Sequence, residues 1–295
     1  MKIVILGAGE LGTVIGGLIQ KKQPDVTFWD SDPVKRQDGT LESLIPLADF
    51  VFFCVPSWTL REAITTVLPF LKPTCSLTFF SKGIEEQSLK TVPELVLEIA
   101  PSFSTAVVGG PMLAGEMKVG KPSVIVLASK DEALRSVLVP LFSSSESRVE
   151  VSDDPYGVSL TGVLKNIYAV SLGIADGLEL SGNQKGWLVS QAIEEMVQIG
   201  KILGVDQNVI LGTTGVGDLI ATGFSSYSRN RTVGHEIVKT GVCNFRGEGL
   251  SSLPSLMERL GEKSSQFRLL NFINYVGIQC QPAAPAFQKF FDEKK

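Results

Sequence analysis

The first half of this 295-residue chain alternates short apolar runs with stretches of helical periodicity. Runs rich in β-branched and aromatic residues, apolar on both faces, are typical of parallel strands that are covered by helices on both sides. The pattern therefore predicts an α/β fold with a doubly wound, mostly parallel sheet. The six runs are KIVIL (2–6), VTFW (26–29), FVFFCV (50–55), SLTFF (76–80), TAVVG (105–109) and SVIVLA (123–128).

After Asp153-Asp154-Pro155 the pattern changes to long helical periods without a convincing strand. We place a domain boundary there, which predicts a dinucleotide-binding domain over 1–154 and an all-helical substrate and catalytic domain over 155–295. The serine-rich stretch SSSES (143–147), just before the boundary, is interpreted as a loop. Two helical faces are predicted, one with Leu160, Val163, Leu164, Ile167 and Ile174, the other with Leu188, Ile193, Met196 and Val197.

Four of the predicted strands end in residues of a different character: GAGELG after the first, VPS after the third, SKG after the fourth and GGPM after the fifth. In doubly wound sheets the ligand lies beyond the carboxyl ends of the strands. We therefore expect these ends to line one crevice, with Lys82 on its rim.

The GAGELG segment, with Gly7, Gly9 and Gly12, follows a predicted strand and opens a helical run. That context is the one a Rossmann-type dinucleotide fingerprint requires, since the glycines allow the tight turn, the approach to the pyrophosphate and helix packing. A glycine-rich turn without a ligand is the alternative. The motif predicts that the chain binds NAD or NADP.

Asp30 stands at the end of the second predicted strand, eighteen residues beyond Gly12. An acid at this position can accept a hydrogen bond from the ribose 2′-hydroxyl and would repel a 2′-phosphate. This favours NAD over NADP, although Lys35 and Arg36 follow closely and could reverse the preference.

A single charged residue, Lys165, interrupts the apolar run between Tyr156 and Asp176. A buried ammonium needs a partner or a lowered pKa, and a lowered pKa would suit proton transfer near neutral pH. A snorkelling or salt-bridged lysine is the alternative. Gly157–Ala175 approaches the length of a membrane span, but its glycines and polar residues favour a buried helix.

The formal net charge of −4 and the pI near 5.3 argue against nucleic-acid or membrane-surface binding and favour small-molecule partners. The start of the chain runs directly into a predicted strand without a signal-peptide cleavage region, which predicts a cytoplasmic protein. With one histidine, His235, and no CxxC pair, we expect no metal site and reduced, buried thiols. The cysteines are Cys54, Cys75, Cys243 and Cys280.

The segment GTTGVGDLIATGFSSYSRNR (212–231) is polar and glycine-rich. A guanidinium can bind phosphate through two parallel hydrogen bonds, so Arg229 with Asn230 would make a phosphate clamp. A solvated loop that caps a helix is the alternative.

Read together, LKN (164–166), GVGDL (215–219) and SRNR (228–231), behind an N-terminal GAG, resemble the NAD(P)-dependent glycerol-3-phosphate dehydrogenase family. The resemblance covers most of the chain and is most specific from 160 to 234. Further matches are SKG (81–83), the GP..A segment (110–114), the helix at 176–204 and the EG pair (248–249).

The resemblance implies an oxidoreductase that interconverts dihydroxyacetone phosphate and sn-glycerol 3-phosphate and feeds glycerophospholipid synthesis. Lys165 would be the general acid and base at the C2 oxygen. Asp218 would hold Lys165 and the substrate hydroxyl in place, with Thr222 and Asn166 adding hydrogen bonds. The resemblance permits a homodimer, whereas the prediction of no membrane insertion rests on the glycines and polar residues of Gly157–Ala175.

The resemblance also implies three overlapping sets of site residues. The catalytic set is Lys165, Asp218 and Lys82. The cofactor-binding set is Gly7, Gly9, Glu10, Leu11, Gly12, Asp30, Lys82, Ala114, Arg229 and Glu248. The substrate-binding set is Lys82, Gly110, Met112, Lys165, Asn166, Asp218, Thr222, Ser228, Arg229 and Asn230.

The chain departs from the family in four places. Met112 replaces the usual Ser or Thr, Leu113 replaces an aromatic residue, the stretch between Asp30 and Phe50 is short, and the tail lacks the common acidic-Met-Pro pattern. Two alternative functions therefore stay open: a related hydroxyacid or ketopantoate-type reductase, and a non-catalytic dinucleotide-binding sensor.

Overall fold

The computed structural model describes residues 1–37, 39–243 and 246–292. The chain folds into two compact units. The first comprises Met1–Lys82 and Lys90–Ser159, and the second comprises Gly83–Leu89 and Leu160–Lys295. The short segment after Lys82 thus folds with the helices of the second half of the chain.

Within the described residues, seven strands form one sheet in the order β2-β1-β3-β4-β5-β6-β7. Neighbouring strands are parallel except β5 and β6, which are antiparallel. The predicted doubly wound, mostly parallel sheet is therefore confirmed. The strands are β1 (Ile3–Leu6), β2 (Val26–Trp29), β3 (Phe50–Phe53), β4 (Ser76–Phe79), β5 (Ser104–Gly109), β6 (Ser123–Ala128) and β7 (Ser147–Ser152).

The sequence did not predict β7, which lies at one edge of the sheet and pairs with β6 alone. Its sequence, SRVEVS, alternates polar and apolar residues, and much of it stays accessible to solvent. A half-buried edge strand lacks the two-sided apolar run that marks the other six. The loop predicted at 143–147 consequently ends one residue early, because Ser147 already belongs to β7.

The helices of the first half pack on the sheet around an apolar core. Phe52 of β3 stacks on Phe142, with ring centroids 5.8 Å apart, and contacts Phe80 at 5.9 Å. Met112 belongs to the same cluster and is only 9% exposed. The helices are α1 (Glu10–Gln20), α2 (Leu41–Leu44), α3 (Leu60–Val67), α4 (Val92–Ile99), α5 (Ala114–Lys118) and α6 (Glu132–Phe142).

A surface ion-pair network joins α3 to α4 and gives a testable pH dependence. Glu98 accepts a hydrogen bond from Arg61 at 2.8 Å and another from Lys90, and these lower the pKa of Glu98 from 4.5 to about 2. A carboxyl whose pKa falls on folding stabilises the folded state above its unfolded pKa. This contribution should be complete above pH 4.5 and disappear as the pH falls towards 2. Carboxyl-carbon NMR titration should show the low pKa, and Arg61→Gln should raise it.

In the described part of the chain from Pro155 onward, every regular element is a helix, so the all-helical prediction is confirmed. Local signals set the helix ends. Ser181 and Gln184 form a capping box at the start of α8, and Gly204, at φ 79°, ends it in the left-handed conformation. The α-helices are α7 (Pro155–Gly177), α8 (Gly182–Leu203), α9 (Gln207–Leu211), α10 (Asp218–Phe224), α11 (Arg229–Thr240), α12 (Glu248–Leu260), α13 (Arg268–Gly277) and α14 (Ala283–Asp292).

Helix α7 is buried on all sides rather than on one predicted face. Polar residues such as Thr161 and Ser171 are as fully buried as Leu164. Among the described residues it is the only helix long and apolar enough to cross a membrane, and its 18-residue apolar window is entirely buried. The interpretation of Gly157–Ala175 as a buried core helix is confirmed.

Two glycines let α7 and α11 cross with their backbones in contact. A Cβ at Gly173 would lie 2.0 Å from the carbonyl oxygen of Arg231, and one at Gly234 would lie 2.2 Å from that of Val170. No side chain fits at such separations, so the crossing requires glycine on both helices. The crossing fixes how Asn166 on α7 meets the start of α11.

The cysteines divide into two pairs. Cys54 and Cys75 are free thiols, and burial raises the pKa of both, that of Cys75 to about 11. Cys243 and Cys280 form a disulfide with Cα atoms 5.8 Å apart. The prediction of four reduced, buried thiols is therefore wrong for this pair, because folding brings together two connections that are 37 residues apart in the sequence.

Candidate active-site residues

The glycine turn between β1 and α1 has the shape that the sequence predicts. Gly7 has φ 96°, and a Cβ there would lie 2.6 Å from the carbonyl oxygen of Cys54. A Cβ at Gly12 would lie 1.9 Å from the oxygen of Gly7, whereas the space beside Gly9 is open. No side chain caps the start of α1. The turn therefore leaves backbone N–H groups and space at a helix N-terminus, which fits a pyrophosphate.

Asp30, at the end of β2, holds this turn in place. Its Oδ2 accepts a hydrogen bond from the Ala8 N–H at 2.8 Å, and its Oδ1 accepts one from the Asp32 N–H at 2.9 Å. Lys35, which could have reversed the cofactor preference, pairs with Asp32 at 3.0 Å. Asp30 thus stabilises the glycine turn and also lies at the position predicted to contact the ribose.

Three further strand ends meet at the same edge of the sheet. Lys82 Nζ donates to the carbonyl oxygen of Gly110 at 3.1 Å, and Ser81 Oγ donates to that of Val55 at 2.6 Å. Gly110 has φ 93°, and a Cβ there would lie 2.6 Å from the Val124 oxygen. The structure thus brings the ends of β3, β4 and β5 together within the first unit.

Lys165 lies on α7 with two polar partners from α10. Its Nζ donates to Asp218 Oδ1 at 3.1 Å and to Thr222 Oγ1 at 2.8 Å, and Thr222 Oγ1 donates to Asp218 Oδ1 at 3.1 Å. The three residues are at most 5% exposed. Lys165 thus has the polar partners that a buried lysine requires.

The glycines of GVGDL explain how Asp218 reaches this position. A π-helical turn over Thr213–Gly217 directly precedes α10, with Asp218 in its first turn. A Cβ at Gly215 would lie 1.8 Å from the carbonyl oxygen of Ile210, so only glycine allows the turn to pack against α9. Thr222 follows Asp218 by four residues and therefore lies on the same helix face.

A second polar cluster forms where α7, α11 and α12 meet. Asn230 Nδ2 donates to Asn166 Oδ1 at 2.9 Å, and the Gly249 N–H donates to Asn230 Oδ1 at 3.1 Å. A Cβ at Gly249 would lie 2.4 Å from the Asn166 carbonyl oxygen. Asn230 therefore holds the start of α12, which includes Glu248, against α7.

The residues of the SRNR motif have different environments. Ser228 is buried and caps α11 by accepting the Arg231 N–H at 3.2 Å. Arg231 pairs with Asp176 at 2.5 Å, and Lys185 joins that carboxylate at 2.6 Å. Arg229 is exposed and makes no hydrogen bond or ion pair with the described residues. Of the two arginines, Arg229 is thus the one available to a ligand.

Sequence reasoning missed a polar network behind α7. Glu195 Oε2 accepts hydrogen bonds from Tyr168 at 2.8 Å and from the Leu270 N–H at 2.9 Å, and its Oε1 accepts one from the Leu269 N–H at 2.7 Å. Burial raises the pKa of Glu195. Glu195 follows Glu194 in an amphipathic helix, and this pattern gives no signal that one of the two acids caps the start of another helix.

The remaining predicted site residues lie at the expected elements. Glu10 and Leu11 begin α1, and Ala114 begins α5. Met112 packs in the apolar core of the first unit.

The first unit has a mostly parallel sheet with a glycine turn of the dinucleotide-binding type, and the second is helical with a buried lysine–carboxylate pair. This combination is typical of two-unit, nicotinamide-dependent oxidoreductases. The family model of the NAD-dependent glycerol-3-phosphate dehydrogenase N-terminus matches residues 35–135, and that of its C-terminus matches 154–284. The chain belongs to the NAD(P)-dependent glycerol-3-phosphate dehydrogenase family, as the resemblance in its motifs indicated.

Curated relatives agree with this assignment. The glycerol-3-phosphate dehydrogenase [NAD(P)+] of Geobacter metallireducens is 31% identical over 99% of this chain and 93% of its own length. The protein of the same name from Azotobacter vinelandii is 33% identical over 88% of this chain and 80% of its own.

Solved structures show the same fold. A glycerol-3-phosphate dehydrogenase from Coxiella burnetii superposes with a TM-score of 0.90 at 24% identity, covering 99% of both chains. A ketopantoate reductase from Ralstonia eutropha gives a TM-score of 0.63 at 18% identity, covering 95% of this chain and all of its own. The ketopantoate-type reductase, one of the two alternatives, thus shares the architecture less closely.

Proposed function

We propose that this chain interconverts dihydroxyacetone phosphate and sn-glycerol 3-phosphate with NAD(H) or NADP(H), using Lys165 as the general acid and base. The observation that carries the proposal is the buried cluster of Lys165, Asp218 and Thr222, which lies within the segment matched by the family's C-terminal model. The names of the curated relatives support the same substrate and cofactor pair.

The first unit would hold the nucleotide. The N-terminus of α1 and the open space beside Gly9 would receive the pyrophosphate. Asp30 would accept a hydrogen bond from a ribose hydroxyl. When bound, the nicotinamide supplies a hydride to C2 of the ketone, or accepts it in the reverse direction. Asp30 makes NAD the expected preference.

The second unit would supply the proton. As hydride reaches C2, Lys165 Nζ gives a proton to the C2 oxygen, so that the ketone becomes a secondary alcohol and the lysine a neutral amine. In the reverse direction the amine takes the hydroxyl proton back. Asp218 and Thr222 fix the direction of Nζ through two hydrogen bonds, which reduces the cost of orienting it in each turnover.

An absorbance assay tests the proposal. Purified protein mixed with dihydroxyacetone phosphate should consume NADH, and more slowly NADPH, at the nicotinamide band. Binding of either cofactor without consumption would instead support the dinucleotide sensor. If the protein consumed the cofactor with ketopantoate or another 2-keto acid but not with dihydroxyacetone phosphate, it would instead be a hydroxyacid or ketopantoate-type reductase.

Arg229 should recognise the substrate phosphate. Replacing it with alanine removes a charge-assisted contact, so we expect the KM for dihydroxyacetone phosphate to rise about tenfold or more. Arg229→Lys should recover only part of the affinity, because an ammonium cannot form two parallel hydrogen bonds. Steady-state kinetics would measure both, with the exposed Lys201→Ala on α8 as control. An unchanged KM for Arg229→Ala would contradict the assignment.

A further inference from the structure

The loop that follows β2, residues 30–37, begins at the predicted ribose position and is closed by backbone hydrogen bonds. The Gln37 N–H donates to the Phe28 carbonyl oxygen at 3.1 Å, and Gln37 Oε1 accepts the Phe28 N–H at 3.1 Å. Inside the loop, the Lys35 N–H donates to the Asp32 carbonyl oxygen at 3.0 Å and forms a turn. These contacts fix the positions from which the charged side chains of the loop extend.

Asp32 joins the predicted ribose acid to a lysine. Its own N–H donates to Asp30 Oδ1 at 2.9 Å. Its Oδ1 accepts the Val34 N–H at 3.0 Å, and its Oδ2 pairs with Lys35 Nζ at 3.0 Å. The pKa of Lys35 is raised, chiefly by the hydrogen bond to Asp32 and also by the charge of Asp30. Lys35 therefore lies within electrostatic range of both acids.

The charges of this loop cancel, because the acids Asp30 and Asp32 stand against Lys35 and Arg36. The side chains of Asp32 and Lys35 are 40% and 52% exposed, so a ligand can reach both. Arg36 is also exposed, and within the described part of the chain it has no hydrogen bond or ion pair. A 2′-phosphate, with a charge of about −1.5 to −2, would thus meet two acids and a lysine that already has a partner.

We propose that Asp32 is a specificity-determining residue of the cofactor site, because it occupies the Lys35 ammonium that would otherwise pair with a 2′-phosphate. Both oxygens of Asp30 accept backbone N–H groups, which offset part of its charge, so Asp30 is not the whole barrier to NADP(H). With Lys35 paired, the site favours NAD(H), whose ribose has a 2′-hydroxyl. The inference rests on the proposed function for the identity of the cofactor, but not on the reaction or on Lys165.

Fluorescence titration of the full chain with NADH and with NADPH tests this without turnover. The unaltered protein should bind NADH more tightly. Asp32→Asn keeps an Oδ1 acceptor for the Val34 N–H but loses the charge that pairs with Lys35. This variant should lower the Kd for NADPH about fivefold or more and leave the Kd for NADH nearly unchanged. The gain should shrink in about 0.5 M NaCl, because salt screens exposed charges.

Two further variants identify the cause of the gain. When Asp32→Asn is combined with Lys35→Ala, the released ammonium is gone, so most of the gain in NADPH affinity should disappear. Glu146→Gln is the matched control, because it removes one acid from another exposed ion pair of the first unit. Glu146 pairs with Lys21 at 2.6 Å, and the two side chains are 43% and 57% exposed. The control should change neither Kd.

Four outcomes would overturn the inference: tighter binding of NADPH than of NADH by the unaltered protein, an unchanged Kd for NADPH in Asp32→Asn, a gain that survives the loss of Lys35, or an equal gain in Glu146→Gln. If the unaltered protein bound neither nucleotide, the cofactor site itself would be contradicted, and this inference with it. Binding without turnover would contradict only the proposed reaction. Because Asp32 is partly exposed, its variant should fold, and an unchanged circular-dichroism melting curve would verify this.

Discussion

Replacing Lys165 with alanine should lower kcat for dihydroxyacetone phosphate reduction about 10²- to 10⁴-fold, the usual contribution of a positioned general acid. The nicotinamide cofactor should still bind, because the glycine turn belongs to the other unit of the chain. Stopped-flow or steady-state consumption of NADH measures the first quantity. Fluorescence of bound NADH measures the second.

The alanine variant also leaves Asp218 buried without its ion-pair partner, which could destabilise the fold by about 3–5 kcal/mol. Lys165→Arg separates the two effects, since it keeps a charge beside Asp218 but cannot release a proton near neutral pH. A folded Lys165→Arg protein with near-normal kcat would show that Lys165 is a structural lysine, which is the alternative its ion pair also allows.

Replacing Gly234 with alanine should destabilise the helical unit by about 3 kcal/mol or more. The added Cβ would lie 2.2 Å from the Val170 oxygen and 2.8 Å from the Ile174 nitrogen, so the backbones of α7 and α11 would have to separate. Overpacking against backbone atoms has no rotamer that relieves it. Urea denaturation followed by circular dichroism would measure the loss.

Gly186→Ala is the matched control for this variant. Gly186 also lies within a helix, α8, but a Cβ there would meet no atom within 4 Å. Because alanine favours the helix over glycine, we expect a gain of about 1 kcal/mol. If Gly234→Ala and Gly186→Ala changed stability alike, the backbone contact between α7 and α11 would not be a constraint.

Much of the first unit could be predicted because its signals are local. Two-sided apolar runs marked six of the seven strands, and the glycines of GAGELG marked the turn. The edge strand β7 was missed because it is half exposed and so lacks such a run. The segment Gly83–Leu89 gave no sign that it folds with the second unit, where the Ile84 N–H lies 3.3 Å from Ser252 Oγ.

The candidate site was only partly predictable. The position of Lys165 in an apolar helix indicated that it needs a partner, but that partner lies 53 residues away, and the family motif rather than local physics pointed to Asp218. The pairing of Cys243 with Cys280 and the cap that Glu195 provides for α13 depend on tertiary contacts. Such contacts leave no periodic trace in a single sequence.

The position of Asn230 has a consequence for interpreting kinetics. The nitrogen of its carboxamide donates a hydrogen bond to Asn166, and the oxygen accepts one from the N–H of Gly249. Gly249 is next to Glu248 at the start of α12. If Glu248 contacts the nucleotide, as the family resemblance implies, a change at Asn230 should disturb nucleotide affinity together with substrate affinity. Paired shifts of this kind would report a displaced helix, so weaker binding in such a variant should not be attributed to lost phosphate recognition alone.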